Sequence, residues 1–143
     1  MENKRISLSV LEEFSPSTAG QDILRYVNLP DFLGSEKETL LYYLGKNLAR
    51  QLDITSLDDI PYIFNKLQWG QLDLIKDKRN QMIFHLMADT IVHKLQASIP
   101  VDFRMESGFL AEAIQLLTER VTECTEITNE RLYRVEFKVL LFD

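Results

Sequence analysis

The chain has 143 residues, 45% of them hydrophobic and 27% charged, the composition of one ordinary globular domain with a single core. Five glycines and four prolines are too few for a disordered or low-complexity chain, and the lone cysteine, Cys124, excludes an internal disulfide and a multi-cysteine structural zinc site. Sixteen Lys and Arg against twenty-two Asp and Glu leave a net charge of −6, the wrong sign for a nucleic-acid or anionic-membrane binder.

Near the N-terminus Lys4 and Arg5 precede Ile6, but Glu12 and Glu13 interrupt any leader-like apolar run. No charge-free stretch reaches the roughly 18 apolar residues of a membrane span. A cytoplasmic protein without membrane insertion or nucleic acid is expected.

Apolar residues at Ile6, Leu8, Val10, Leu11 and Phe14 fit a short helix over 6–14 better than a strand. After Ser15-Pro16-Ser17, Ser17 or Thr18 can cap a second short helix that buries Ile23, Leu24 and Val27 and ends at Asn28-Leu29-Pro30, because the residue before a proline is pushed out of the α region. Ser35 with Glu38 has the spacing of a capping box, which predicts a helix over 35–52 with an apolar stripe of Leu40, Leu41, Leu44, Leu48 and Leu52. Gly45 and Ala49 lie on the same side four residues apart, where small residues admit another backbone, so Gly45 is assigned a packing role.

Ser56 and Asp59 start a further helix carrying Ile60, Ile63, Phe64 and Leu67 inward, with Pro61 early enough that its missing N–H is tolerated. From Trp69 the period changes to two. Leu72 and Leu74, a polar turn over 77–80, then Met82, Phe84 and Leu86 make a hairpin. Residues 89–103 have no clear period, and Pro100 marks a loop. Ser107-Gly108 leads into a helix in which Phe109, Leu110, Ala113, Ile114, Leu116 and Leu117 cover more than one face, as in a helix held between two layers. Strands over 120–127 and 132–142 close the chain, the last alternating Tyr133, Val135, Phe137, Val139 and Leu141 with more polar residues. The expected fold is α+β, a four-stranded antiparallel sheet with helices on one face; residues 1–34 form an N-terminal helical extension and 35–143 the core of a single domain.

Few residues carry chemistry. His85 falls on the strand's wetter face, His93 in the irregular segment, and neither has a second ligand at metal spacing. Cys124 sits among Glu123 and Glu126, which disfavour a thiolate, so it reads as structural. Lys76, Lys78 and Arg79 form the tightest basic cluster, interrupted by Asp77, and read as a solvated hairpin tip with a phosphate contact as the alternative. The carboxylates at 12–13, 36–38 and 58–59 are explained by helix starts, and Trp69 reads as a core plug.

Taken in order, Leu41-Tyr42-Tyr43-Leu44-Gly45-Lys46-Asn47-Leu48-Ala49-Arg50, the helix over 56–67, the Trp69-Gly70 hairpin, Ser107-Gly108-Phe109-Leu110-Ala111-Glu112-Ala113-Ile114 and the two closing strands resemble the 4-vinyl-reductase-type domain, across residues 39–142. That domain is related to the TRAPP vesicle-tethering subunits and to the ligand-binding fold of nitric-oxide signalling proteins. Within the group the chain is most similar to the small YslB-like bacterial proteins of unknown function.

The resemblance implies a twisted four-stranded sheet backed by helices, pairing through helical surfaces, and an apolar cavity that in relatives holds a small molecule or acyl chain. At the second small-residue positions of the family's two helix patterns stand Ala49 and Glu112, and the cysteines of some relatives have no counterpart at Asp102, Phe103 or Arg134. The chain stops at Asp143, without the closing helix of the TRAPP subunits. The function expected is a non-enzymatic binding or scaffold protein holding an apolar or acyl ligand between the sheet and the 107–117 helix, at Leu44, Leu48, Phe109, Ala113, Leu117 and Phe137, and pairing as a homodimer or with a partner protein. No cofactor is assigned. The alternative is an enzyme or enzyme accessory acting on a tetrapyrrole-like or other planar molecule, which requires His85 or His93 to face the cavity.

Overall fold

The computed structural model describes residues 6–143; residues 1–5, read above as lacking leader character, lie outside them. The element order is a 3-10 helix Leu8–Glu13, α1 Ala19–Ile23, a π turn Leu24–Asn28, α2 Leu29–Leu33, a 3-10 turn Gly34–Glu36, α3 Lys37–Gln51, α4 Asp59–Lys66, β1 Gln71–Lys78, β2 Gln81–Met87, α5 Asp89–Gln96, α6 Arg104–Thr118, β3 Val121–Asn129 and β4 Arg134–Phe142. The strands form one antiparallel sheet in the order β1-β2-β4-β3, the α+β arrangement expected.

One face of the sheet carries the core. Leu72, Leu86 and Val135 are in register across it, as are Met82, Val139 and Cys124, and all six are buried. Onto this face packs α6, buried continuously from Glu106 to Ile114 because α3 covers its other side. The layers meet in an aromatic cluster in which Phe64 and Trp69 pack edge-on to each other at 5.0 Å and to Phe109 at 5.7 and 5.6 Å. Trp69 is a core plug. On the edge strand β3 the outward amides of Thr122 and Cys124 donate to Gln115 Oε1 at 3.2 Å and to the Tyr42 hydroxyl at 3.1 Å, which removes two sites for another strand to pair with.

Several local expectations are corrected. The helical backbone passes through Pro30 to Leu33, because the preceding turn is widened: the Leu29 amide donates to Leu24 O, five residues back, which gives the proline ring the room an α turn denies it. The buried face of that segment is Asp22, Arg25 and Tyr26, while Leu24 is exposed and Ile23 and Val27 are half-buried. The Ser35–Glu38 capping box does not form. The chain enters α3 from a 3-10 turn in which the Lys37 amide already donates to Gly34 O.

The face of α3 that meets α6 is Leu41, Gly45 and Ala49, so Leu40 and Leu44 are turned outward and Leu48 is half-buried. Close backbone approach, not side-chain size, sets this rotation. A Cβ at Gly45 would strike Met105 O and lie 2.8 Å from Phe109 N, and one at Gly108 would strike Tyr42 O. Residues 89–96, read as irregular, form α5, whose period is obscured because its inward residues are Ile91 and a lysine, Lys94. Finally, α6 starts at Arg104, a turn before Ser107, and the Ser107 amide bonds Phe103 O at 3.0 Å.

Candidate functional site

At the hairpin end of the sheet lies an open cleft of about 680 Å³. Its floor is aliphatic: Ile114 and Leu117 from the last turns of α6, Met82 and Leu141 from the inner sheet face, and Leu57 from the loop before α4. Three hydroxyl residues, Thr55, Ser56 and Thr118, and four charged ones, Asp77, Lys78, Arg79 and Arg120, complete the lining.

Local bonding builds the rim. The α6 helix ends where Glu119 turns left-handed, at φ 58°, and its amide donates to Gln115 O at 2.8 Å. The Thr118 hydroxyl donates to Ile114 O at 2.7 Å. Arg120, next in the chain, reaches across the sheet: its guanidinium donates to Arg79 O, to Asn80 Oδ1 at 2.7 Å and to Leu141 O at 3.2 Å, and it pairs with Asp143 at 3.3 Å. The hairpin tip is thereby tied to the end of β4, where the Leu141 amide also donates to Asn80 O at 3.0 Å. On the opposite wall the backbone amides of Thr55 and Ser56 donate to Asp59, at 2.9 and 3.0 Å, and these bonds hold the Asp59 carboxyl below its ordinary range.

Of the six residues expected to hold a ligand, Leu117 lines this cleft. Phe109, Ala113 and Phe137 are fully buried in the main core, Leu48 is packed partly against it, and Leu44 faces outward, 47% exposed. The cleft residues that sequence reasoning missed, Met82, Arg120 and Leu141 among them, converge only because β2, β3 and β4 are neighbours. Lys78 and Arg79 were singled out by charge alone.

Neither histidine lines the cleft. His85 stands on the outer face of the sheet, 3.0 Å from Glu136, and the exposed His93 donates from Nδ1 to Asp89 O at 2.8 Å within its own helix. Cys124 is buried against α6, and burial pushes its thiol well above the ordinary range.

A second polar cluster joins the N-terminal segment to the core. Arg25 makes a two-pronged contact with Glu106, at 2.5 and 2.8 Å, and Lys94 lies 3.5 Å from Asp22, which also accepts from the Thr18 hydroxyl at 2.7 Å. The Tyr26 hydroxyl donates to Asp102 O at 2.9 Å, and Lys37 lies 3.6 Å from the Asp102 carboxylate. Burial acts to lower the Arg25 pKa, but Glu106, Tyr26 and Asp102 together outweigh it and hold the guanidinium still more firmly charged. Arg25 also lies 3.5 Å from the Asp102 carboxylate, so Arg25, Glu106, Asp102 and Lys37 form one connected cluster beside the Lys94–Asp22 pair, an arrangement that holds two segments together.

The model of a protein family of unknown function, DUF2507, matches residues 18–140. The chain belongs to this family. It is 30% identical over 133 residues to the uncharacterized protein YslB of Bacillus subtilis, covering 93% of this chain and 90% of that one. A shorter likeness, 27% over 55 residues, links it to an uncharacterized protein of Methanocaldococcus jannaschii, covering 38% of this chain and 34% of that protein. Among solved structures, a vinyl-4-reductase family protein from Methanocaldococcus jannaschii superposes with a TM-score of 0.62 over 98% of this chain and 97% of its own, at 16% identity, which is a likeness of fold. Among the described residues no helix is long and apolar enough to cross a membrane.

Proposed function

We propose that this member of the DUF2507 family is a non-enzymatic binding protein of the cytoplasm whose cleft takes an apolar or acyl ligand. The observation that carries the proposal is the cleft itself, an aliphatic floor on the last turns of α6, with a volume of about 680 Å³ that lies within the roughly 300–1,000 Å³ of small-molecule sites. An acyl chain laid on Leu57, Leu117 and Leu141 would gain about 0.8 kcal/mol for each methylene removed from water. Its lining offers hydroxyls, cations and the Asp77 carboxylate but no histidine or cysteine. A planar, tetrapyrrole-like substrate would have to be worked on by His85 or His93, and both lie elsewhere.

Native purification followed by denaturation and mass spectrometry is expected to release an acyl compound, and an apolar fluorescent probe is expected to bind the emptied protein. Absence of both ligand release and probe binding would overturn the proposal. The same reading includes self-pairing through α3, whose outward face presents Leu40, Tyr43 and Leu44 to solvent. Light scattering at micromolar concentration is expected to give the mass of a dimer; a monomer would remove this half.

A further inference from the structure

An apolar ligand accounts for the floor of the cleft and leaves its rim without a purpose. In a chain of net charge −6, Lys78 and Arg79 are consecutive residues at the β1–β2 turn and line the same cleft as Leu117. Among the described residues neither has a carboxylate within 4.0 Å; Lys46, Lys66, Lys76, Arg131, Arg134 and Lys138 also lack one, but of the unpaired cations Lys78 and Arg79 are the two that line the cleft. The charges that oppose an anion here are weaker. Asp143 is already paired with Arg120, which leaves Asp77 and the C-terminal end of α6, worth about half a negative charge. The Glu119 amide and the Thr118 hydroxyl reduce that helix-end charge further by bonding the last carbonyls. Arg120 spends its guanidinium on Arg79 O, Asn80 Oδ1 and Leu141 O, so its work is to hold the basic tip over the cleft.

Resting on the binding reading above, we infer that the ligand is an anionic amphiphile with one aliphatic chain, its tail on Leu57, Leu117 and Leu141 and its carboxylate or phosphate head against Lys78 and Arg79, with Arg120 as a positioning residue. A hydrogen bond to a charged partner contributes enough that head recognition should be worth about tenfold or more in affinity. The Ser56 hydroxyl adds a neutral donor to the cleft lining, whereas that of Thr55 is donated to Asp59.

Calorimetric titration of the full chain with decanoate, decyl phosphate, decanol and inorganic phosphate tests this. Decanoate or decyl phosphate is expected to bind about tenfold more tightly than decanol, and the stronger of the two identifies the head. The difference should shrink as salt rises towards about 1 M, where charges are screened beyond about 3 Å. The double variant Lys78→Ala/Arg79→Ala should lose the difference while binding decanol as before. Arg120→Lys, which keeps the charge but not the three-way contact, should lose it as well; an equal loss for decanol and decanoate would overturn its positioning role. If decanol binds as tightly as both anions, the head assignment fails and the binding reading stands. If inorganic phosphate matches decyl phosphate, the amphiphile is overturned. If none of the three chains binds, both inferences fall.

Discussion

Gly45 and Gly108 show what a single hydrogen in place of a methyl group can decide. Each lies against the other helix's backbone, Gly45 on Met105 and Phe109, Gly108 on Tyr42, so a new Cβ meets atoms that cannot move aside without separating α3 from α6. Gly45→Ala or Gly108→Ala is expected to lower stability by about 1–3 kcal/mol or more, read from urea unfolding. Gly20→Ala, in α1 with nothing within 4 Å of the added atom, should instead raise it by about 0.4–1 kcal/mol, because alanine restricts the unfolded chain. The role of Gly45 was legible, since a mid-helix glycine works against propensity and calls for a packing reason. That of Gly108 was half hidden. Ser107 looked like the approach to a helix, and only its contact with Glu126 explains why it lies inside one.

At the scale of elements, the N-terminal segment turned its charges inward. Hydrophobic periodicity pointed to Ile23, Leu24 and Val27, but the partners of Asp22 and Arg25 are Lys94 and Glu106, far along the chain, and no local pattern announces them. The expected consequence is asymmetric. Arg25→Met alone leaves Glu106, which is fully buried, without its counter-charge and should cost about 3–5 kcal/mol. Adding Glu106→Leu should restore most of that loss, since the second charge is then gone as well. A double-mutant cycle by chemical denaturation measures the difference, and equal losses in the single and double variants would contradict it. Strands and long helices were legible for the opposite reason: in β4 the residues at Val135, Phe137, Val139 and Leu141 face one core, so their period survives in the sequence. In α5 a buried lysine erased it.

Across the whole molecule, two apolar clusters are joined by this ionic seam. The smaller one, Val10, Phe14 and Tyr26, is packed with Ile99 and Val101, and the larger fills the space between the sheet and α3, α4 and α6. The boundary drawn at 34/35 therefore crosses buried ion pairs. Residues 6–33 are expected to unfold together with the core, so that Trp69 fluorescence and far-ultraviolet circular dichroism change in one coincident transition. A chain reduced to residues 35–143 should be markedly less stable, because Glu106 and Lys94 would lose their partners; equal stability would show the extension to be independent.

What the sequence by itself determined is what short-range physics carries: the α+β class, the two hairpins, the α3 and α6 helices, the placing of Trp69 in the core, and the family resemblance in the order of those elements. The tertiary structure alone decided which side of α3 faces inward, which charges are buried, and where a cleft opens. The reason is the same in all three cases. Each depends on atoms brought together from distant stretches of chain, Met105 against Gly45, Glu106 against Arg25, and Arg120 against Arg79 and Leu141.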